Sequence, residues 1–99
     1  MAYRIDYTSE SVEHLVFLTA RQRSIVFDSL DEQLTTEPMV ATRNRKPMHP
    51  NPLATWELRL GNLRVYYDVE EAPEPLVRVA AVGVKRGNQV YIGGERYPL

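Results

Sequence analysis

The stretch from Trp56 to Val69, WELRLGNLRVYYDV, constrains the fold more than any other part of the chain. Two runs of alternating apolar and polar residues flank Gly61 and Asn62, a pair that can supply the positive φ angles of a two-residue hairpin turn. Pairing Leu60 with Leu63 across that turn sets the register outward. Arg59 then faces Arg64, Leu58 faces Val65, Glu57 faces Tyr66 and Trp56 faces Tyr67. One face of the hairpin carries Trp56, Leu58, Leu60, Leu63, Val65, Tyr67 and Val69 and demands a covering layer. The other carries Glu57, Arg59, Arg64 and Tyr66. Opposed arginines repel, so this second face calls for a carboxylate, with Glu57 diagonal to Arg64, or for an external anion such as a phosphate.

The rest of the chain supplies the cover. Tyr3 to Tyr7 alternates and predicts a first strand. Thr8 and Ser9 can cap a short amphipathic helix with Val12, Leu15, Val16 and Leu18 at helical spacing, ending near Thr19. Thr19 and Gln22 form a capping-box pattern, so a second helix starts there and runs to about Thr36, with Ile25, Val26, Leu30 and Leu34 as its apolar stripe and Phe27 beside it. Pro38 to Pro52 has four prolines and no periodicity, which predicts a long irregular connection whose charged cluster is Arg43-Asn44-Arg45-Lys46. After an acidic turn from Glu70 to Pro75, the apolar run Leu76 to Val84 suits a central strand buried on both faces. Lys85 to Asn88 makes a basic turn, and Gln89 to Ile92 is a short strand halted by Gly93 and Gly94. The closing ERYPL has no assignment, His14 is expected to be a surface or partly packed side chain, and His49 is isolated. The expected class is α+β: an N-terminal strand and an α-helical hairpin packed on one face of a mainly antiparallel sheet of about four to five strands.

Ninety-nine residues with 43% hydrophobic content allow one domain, residues 1–99, with one core. The absence of cysteine excludes disulfides and thiolate zinc sites. With no membrane-length apolar stretch and no signal-peptide pattern, the expected location is the cytoplasm, away from membranes. Net charge is −1, yet it is distributed by segment. Residues 1–40 hold three basic and seven acidic side chains, 41–66 hold five and one, and 76–99 hold four and one, so a local anion-binding patch can sit on a neutral body.

This order of elements, with EPMVATRNRKPM, WELRLGNLRVYYDV and VRVAAVGVKRGNQVY, resembles the RelE/ParE superfamily of toxin–antitoxin toxins over nearly the whole chain. The resemblance implies a toxin held inactive by a cognate antitoxin, most often an endoribonuclease that cuts messenger RNA on the ribosome with neither metal nor cofactor. By the same resemblance Arg64 meets the scissile phosphate, Lys85 and Tyr91 are the basic and aromatic groups of the later strands, and Arg43, Arg45 and Lys46 bind RNA. Thr55 and Glu57 depart from it, standing where RelE-type enzymes carry lysines.

Metal-free RNA cleavage needs a base for the 2′-hydroxyl, cations for the phosphorane charge and an acid for the leaving oxygen. Arg59 beside Arg64 can supply cations, Glu57 can act as base, Lys85 can stabilise or protonate the leaving group, and Tyr91 or Tyr66 can stack on a base, with Arg86 adding to the basic surface. The same fold also serves ParE-like inhibitors of DNA gyrase that need no catalytic site. A member that only binds its antitoxin is a third reading, and the residues leave all three open.

Overall fold

The computed structural model describes residues 2–98. The chain runs β1 (Arg4–Tyr7), α1 (Ser9–Leu15), α2 (Ala20–Gln33), β2 (Arg45–Pro47), β3 (Trp56–Leu60), β4 (Leu63–Glu70), β5 (Leu76–Arg86), β6 (Gln89–Ile92) and β7 (Glu95–Tyr97). The seven strands form one sheet in the order β2-β3-β4-β5-β6-β7, with β1 added parallel to β5. The architecture is the expected α+β one, with more strands than the sequence predicts. The additional strands are β2, inside the stretch read as irregular, and β7, in the unassigned ERYPL. Both are three residues long, too short to show a period of two.

Between β3 and β4 the observed pairs are Leu60 with Leu63, Arg59 with Arg64, Leu58 with Val65, Glu57 with Tyr66 and Trp56 with Tyr67, as the turn dictates. Gly61 alone supplies the positive φ, at 62°, as in a turn with glycine at its first central position. In the later hairpin, Gly93 and Gly94 both have positive φ (62° and 78°), which only glycine adopts without strain.

The two helices lie on the apolar face. Leu15, Leu18, Val26, Leu30 and Leu34 meet Leu58, Val65, Tyr67, Val77, Val79 and Val82 in the main core. Trp56 stacks on Tyr67 with ring centroids 6.2 Å apart, and the Tyr67 hydroxyl donates to the Pro38 carbonyl at 2.6 Å. Each helix is started by its own side chains. Thr8 Oγ1 accepts the Ser11 N–H, while Thr19 and Gln22 close the capping box reciprocally. The first helix stops at Leu15, earlier than expected, because the next cap at Thr19 needs the chain to turn. Val16, at the helix end, is 74% exposed, and Val12, within the helix, is 51% exposed. Ile25 and Phe27 are also exposed, so the buried stripe of α2 is Val26, Leu30 and Leu34.

On its edge facing β1, β5 is shared. β1 pairs with it from Leu76 to Val79 and β6 from Gly83 to Arg86. In the interval, where β4 and β5 also slip register at Tyr66/Tyr67, α1 replaces a strand. The Thr8 N–H donates to the Val79 carbonyl at 3.2 Å, and the Val82 N–H donates to His14 Nδ1 at 3.3 Å. An otherwise unpaired buried amide is thus satisfied by a side chain. Burial lowers the His14 pKa, with Glu13 and Glu10 opposing the shift.

A charged groove on the helix-free face

The sheet register decides which side chains share the second face. Lys46 lies opposite Glu57, Glu57 opposite Tyr66, and Arg59 opposite Arg64, which is itself opposite Gly83, two residues before Lys85. Lys46, Glu57, Arg59, Arg64, Tyr66 and Lys85 therefore project from one side of four adjacent strands. This face is less open than the hairpin alone suggests. Tyr66 and Ala81 are fully buried, in a second cluster with Ala54 and Ile92 that Met48, Leu53, Val90 and Tyr97 complete. The 48–54 loop and the last two strands fold over the centre of the face, leaving the charged residues of β2 and β3 at its edge.

The arginine pair resolves its repulsion in two ways. Arg59 Nε donates to Glu57 Oε1 at 2.7 Å, a pair in which Glu57 is largely covered and Arg59 is exposed. Arg64 is only 7% exposed, against the expectation of an open-face residue, and its Nη1 donates to the carbonyls of Gly61 (2.6 Å) and Leu63 (2.9 Å). Its guanidinium curls back onto the hairpin turn because the turn carbonyls offer the nearest acceptors. The buried Tyr66 hydroxyl makes no hydrogen bond. Burial, then the Glu57 carboxylate, pushes its pKa far up against the pull of Arg64 and Arg59, so the phenol stays neutral.

Beside these groups lies a groove of about 630 Å3, lined by Lys46, Glu57, Arg59, the 47–52 loop, Tyr97 and Pro98. Asn51 builds the loop. Its Oδ1 accepts the N–H groups of Leu53 (2.7 Å) and Ala54 (3.2 Å), and its Nδ2 donates to the carbonyls of His49 (2.7 Å) and Ala54 (3.1 Å). Pro47, Pro50 and Pro52 further restrict the backbone angles of this wall. Chemically, the groove offers cations, one carboxylate, an imidazole and an aromatic ring over apolar walls. Such a set suits an anionic ligand that also carries planar apolar groups.

Several residues expected at this site lie elsewhere. Arg45 pairs with Leu58, on the helix side, and its Nη1 donates to the Gln33 (2.9 Å) and Glu37 (2.6 Å) carbonyls at the end of α2. Tyr91 pairs with Val84 and so projects to the helix side too, where the Arg86 guanidinium sits 5.5 Å from its ring centroid. Arg43 is exposed in the loop before β2 and does not line the groove. The sequence reading missed His49, Asn51 and Tyr97. An asparagine among prolines is a turn signal that could have flagged the wall. Tyr97 depends on the β6–β7 register and had no local signal.

No family model matches the chain, and no characterised protein matches it in sequence. In structure it is similar to a chain of the RelBE2 toxin–antitoxin complex from Mycobacterium tuberculosis. The TM-score is 0.71 at 22% identity, with 86% of this chain and 100% of that chain covered. The fold is the one implied by the RelE/ParE resemblance. No helix among the described residues is long and apolar enough to cross a membrane.

Proposed function

We propose that this chain is the toxin of a type II toxin–antitoxin pair and that its groove binds messenger RNA at the ribosome and cleaves it without a metal. The observation that carries this reading is the grouping of Lys46, Glu57, Arg59, Arg64 and Lys85 on one face beside a groove, in a fold shared with a chain of a toxin–antitoxin complex. Glu57, held by Arg59, takes the proton from the RNA 2′-hydroxyl, whose oxygen attacks the phosphorus. Lys46 and Arg59 offset the charge on the phosphorane. The 5′-oxygen leaves with a proton from Lys85 or a water, giving a 2′,3′-cyclic phosphate and a 5′-hydroxyl. Tyr97 offers a stacking surface for a base at the groove's edge. The partners of this reading are a cognate antitoxin, messenger RNA and the ribosome, all cytoplasmic.

One observation favours a second reading. The Arg64 guanidinium already serves two backbone carbonyls, which leaves less of it for a phosphate and suits a ParE-like inhibitor of DNA gyrase that needs no catalytic site. Expression without antitoxin separates the two. If messenger RNA is cut in ribosome-bound complexes, and the cutting is lost in Glu57→Ala and Arg59→Ala, the nuclease reading holds. Intact messenger RNA with failing supercoiling replaces it by gyrase inhibition.

A further inference from the structure

Tyr66 is fully buried in the helix-free face, and its hydroxyl, with Arg45 Nε, is one of two buried side-chain polar atoms without a hydrogen bond among the described residues. Leaving such a group unsatisfied costs stability, and phenylalanine would fill the same space without that cost. A tyrosine here calls for a reason. Directly across the strand pair lies Glu57, whose carboxylate is close enough to act on the phenol by charge and as a neighbouring acceptor, yet short of bonding geometry in the free chain. Among the described residues only one Glu57 oxygen is engaged. It accepts Arg59 Nε at 2.7 Å, and Arg59 is the exposed partner, its side chain 45% accessible against 13% for Glu57.

Arg59 is also the arginine that an anion in the groove meets, because it lines the groove and faces Arg64 across the strands, where a phosphate relieves the repulsion between the two. A phosphate that draws the guanidinium outward loosens its bond to Glu57. The largely covered carboxylate is then left facing the phosphate's negative charge. We propose that Tyr66 is a positioning residue, idle in the free chain, whose hydroxyl takes over Glu57 when a phosphodiester claims Arg59. The proposal rests on the nuclease reading above, in which Glu57 is the base. A hydrogen bond from the phenol favours the ionised carboxylate and fixes its orientation, so that it is ready when the 2′-hydroxyl arrives. The 2′-hydroxyl proton passes to the other Glu57 oxygen, and the phenol keeps its own because burial holds it neutral. Lys46 from β2, Arg64 from β4, Lys85 from β5, His49 from the loop and Tyr97 from β7 are the other titratable groups of this face and groove. Removing one hydroxyl leaves all of them in place.

The test introduces Tyr66→Phe into the wild-type chain and into Arg59→Ala, where the arginine is missing from Glu57 as it is when a phosphate has claimed it. In urea melts the midpoint should rise in the first background, where the lost hydroxyl is idle, and fall in the second, where Glu57 has taken it up. Single-turnover cleavage of ribosome-bound messenger RNA supplies the second readout. Tyr66→Phe should cut about tenfold more slowly than wild type at the acid end of the pH profile and approach the wild-type rate at its alkaline end, where a carboxylate is ionised without help. A merely structural tyrosine would lower the rate equally at every pH. Midpoint shifts of the same sign in both backgrounds overturn the proposal, as does a rate loss that is absent or independent of pH. If the wild-type chain leaves messenger RNA uncut but the sign reversal is seen, the nuclease reading falls and the exchange of Arg59 for Tyr66 at Glu57 stands. Cleavage without the sign reversal sinks the exchange and leaves the nuclease reading in place.

Discussion

Arg45 and Lys46 are neighbours with opposite duties, and replacing each in turn shows how far the fold divides them. Arg45 Nη1 donates to the Gln33 and Glu37 carbonyls, where α2 ends and its last carbonyls lack helical partners. Hydrogen bonds from a charged donor contribute about 1.5–3 kcal/mol each. The Glu37 contact is solvent-exposed, so water replaces part of that, and deleting the buried, unpartnered Nε recovers about 1 kcal/mol. The net loss for Arg45→Ala is about 2 kcal/mol, or about 10 °C in Tm for a chain of this length. Arg45→Met, which keeps the apolar stem, should lose nearly as much, locating the effect in the guanidinium. Lys46 is exposed, so Lys46→Ala should leave the Tm within about 1 °C while weakening RNA cleavage at least tenfold. Thermal melts and cleavage of ribosome-bound messenger RNA are measured on the same preparations. An Arg45→Ala protein with wild-type Tm but no cleavage would refute the reasoning and return Arg45 to the nucleic-acid site.

Tyr66→Phe removes a buried hydroxyl that has no partner, so it should raise stability by about 1 kcal/mol in urea melts; a loss of that size would mean the phenol donates to Glu57. His14 has a folded-state pKa depressed by burial, so the folded chain binds fewer protons than the unfolded one. Stability is then fully present above the unfolded value of about 6.5 and is lost as pH falls through the lower folded value. Urea midpoints should drop as the pH falls below the unfolded value of about 6.5, and His14→Phe should flatten that part of the dependence. Arg64→Ala should lower stability by about 2 kcal/mol, because the side chain ties the hairpin turn from a buried position; an unchanged urea midpoint would show those bonds to be dispensable.

The hairpin was legible because its determinants are local. Gly61 permits the turn, the turn sets the pairs, and a period of two assigns every side chain from Trp56 to Val69 to a face. The same holds for the capping box at Thr19 and for the apolar run of β5, whose pattern is complete within each segment. The faces of the candidate site residues were legible from their own segment only on that hairpin, for Glu57, Arg59, Arg64 and Tyr66, whereas the sequence marks Lys46 and Lys85 without a face. Those four faces followed from the sequence, but the burial of Tyr66 did not, since its cover comes from residues such as Leu53, Val90 and Tyr97, distant along the chain, and neither did the folding of Arg64 back onto the carbonyls of its own turn. Arg43, Arg45 and Lys46 read as one basic cluster. Only the pairing of a three-residue β2 with β3 turns Arg45 toward the helices and Lys46 toward the groove. Tyr91, likewise, is placed by its register with Val84, which the Gly87-Asn88 turn sets between strands too short to declare a face of their own. A residue's type and spacing determine what it can do. Which side of a sheet it does it from depends on one-residue registers, and where the strand is short these are decided by what packs against it.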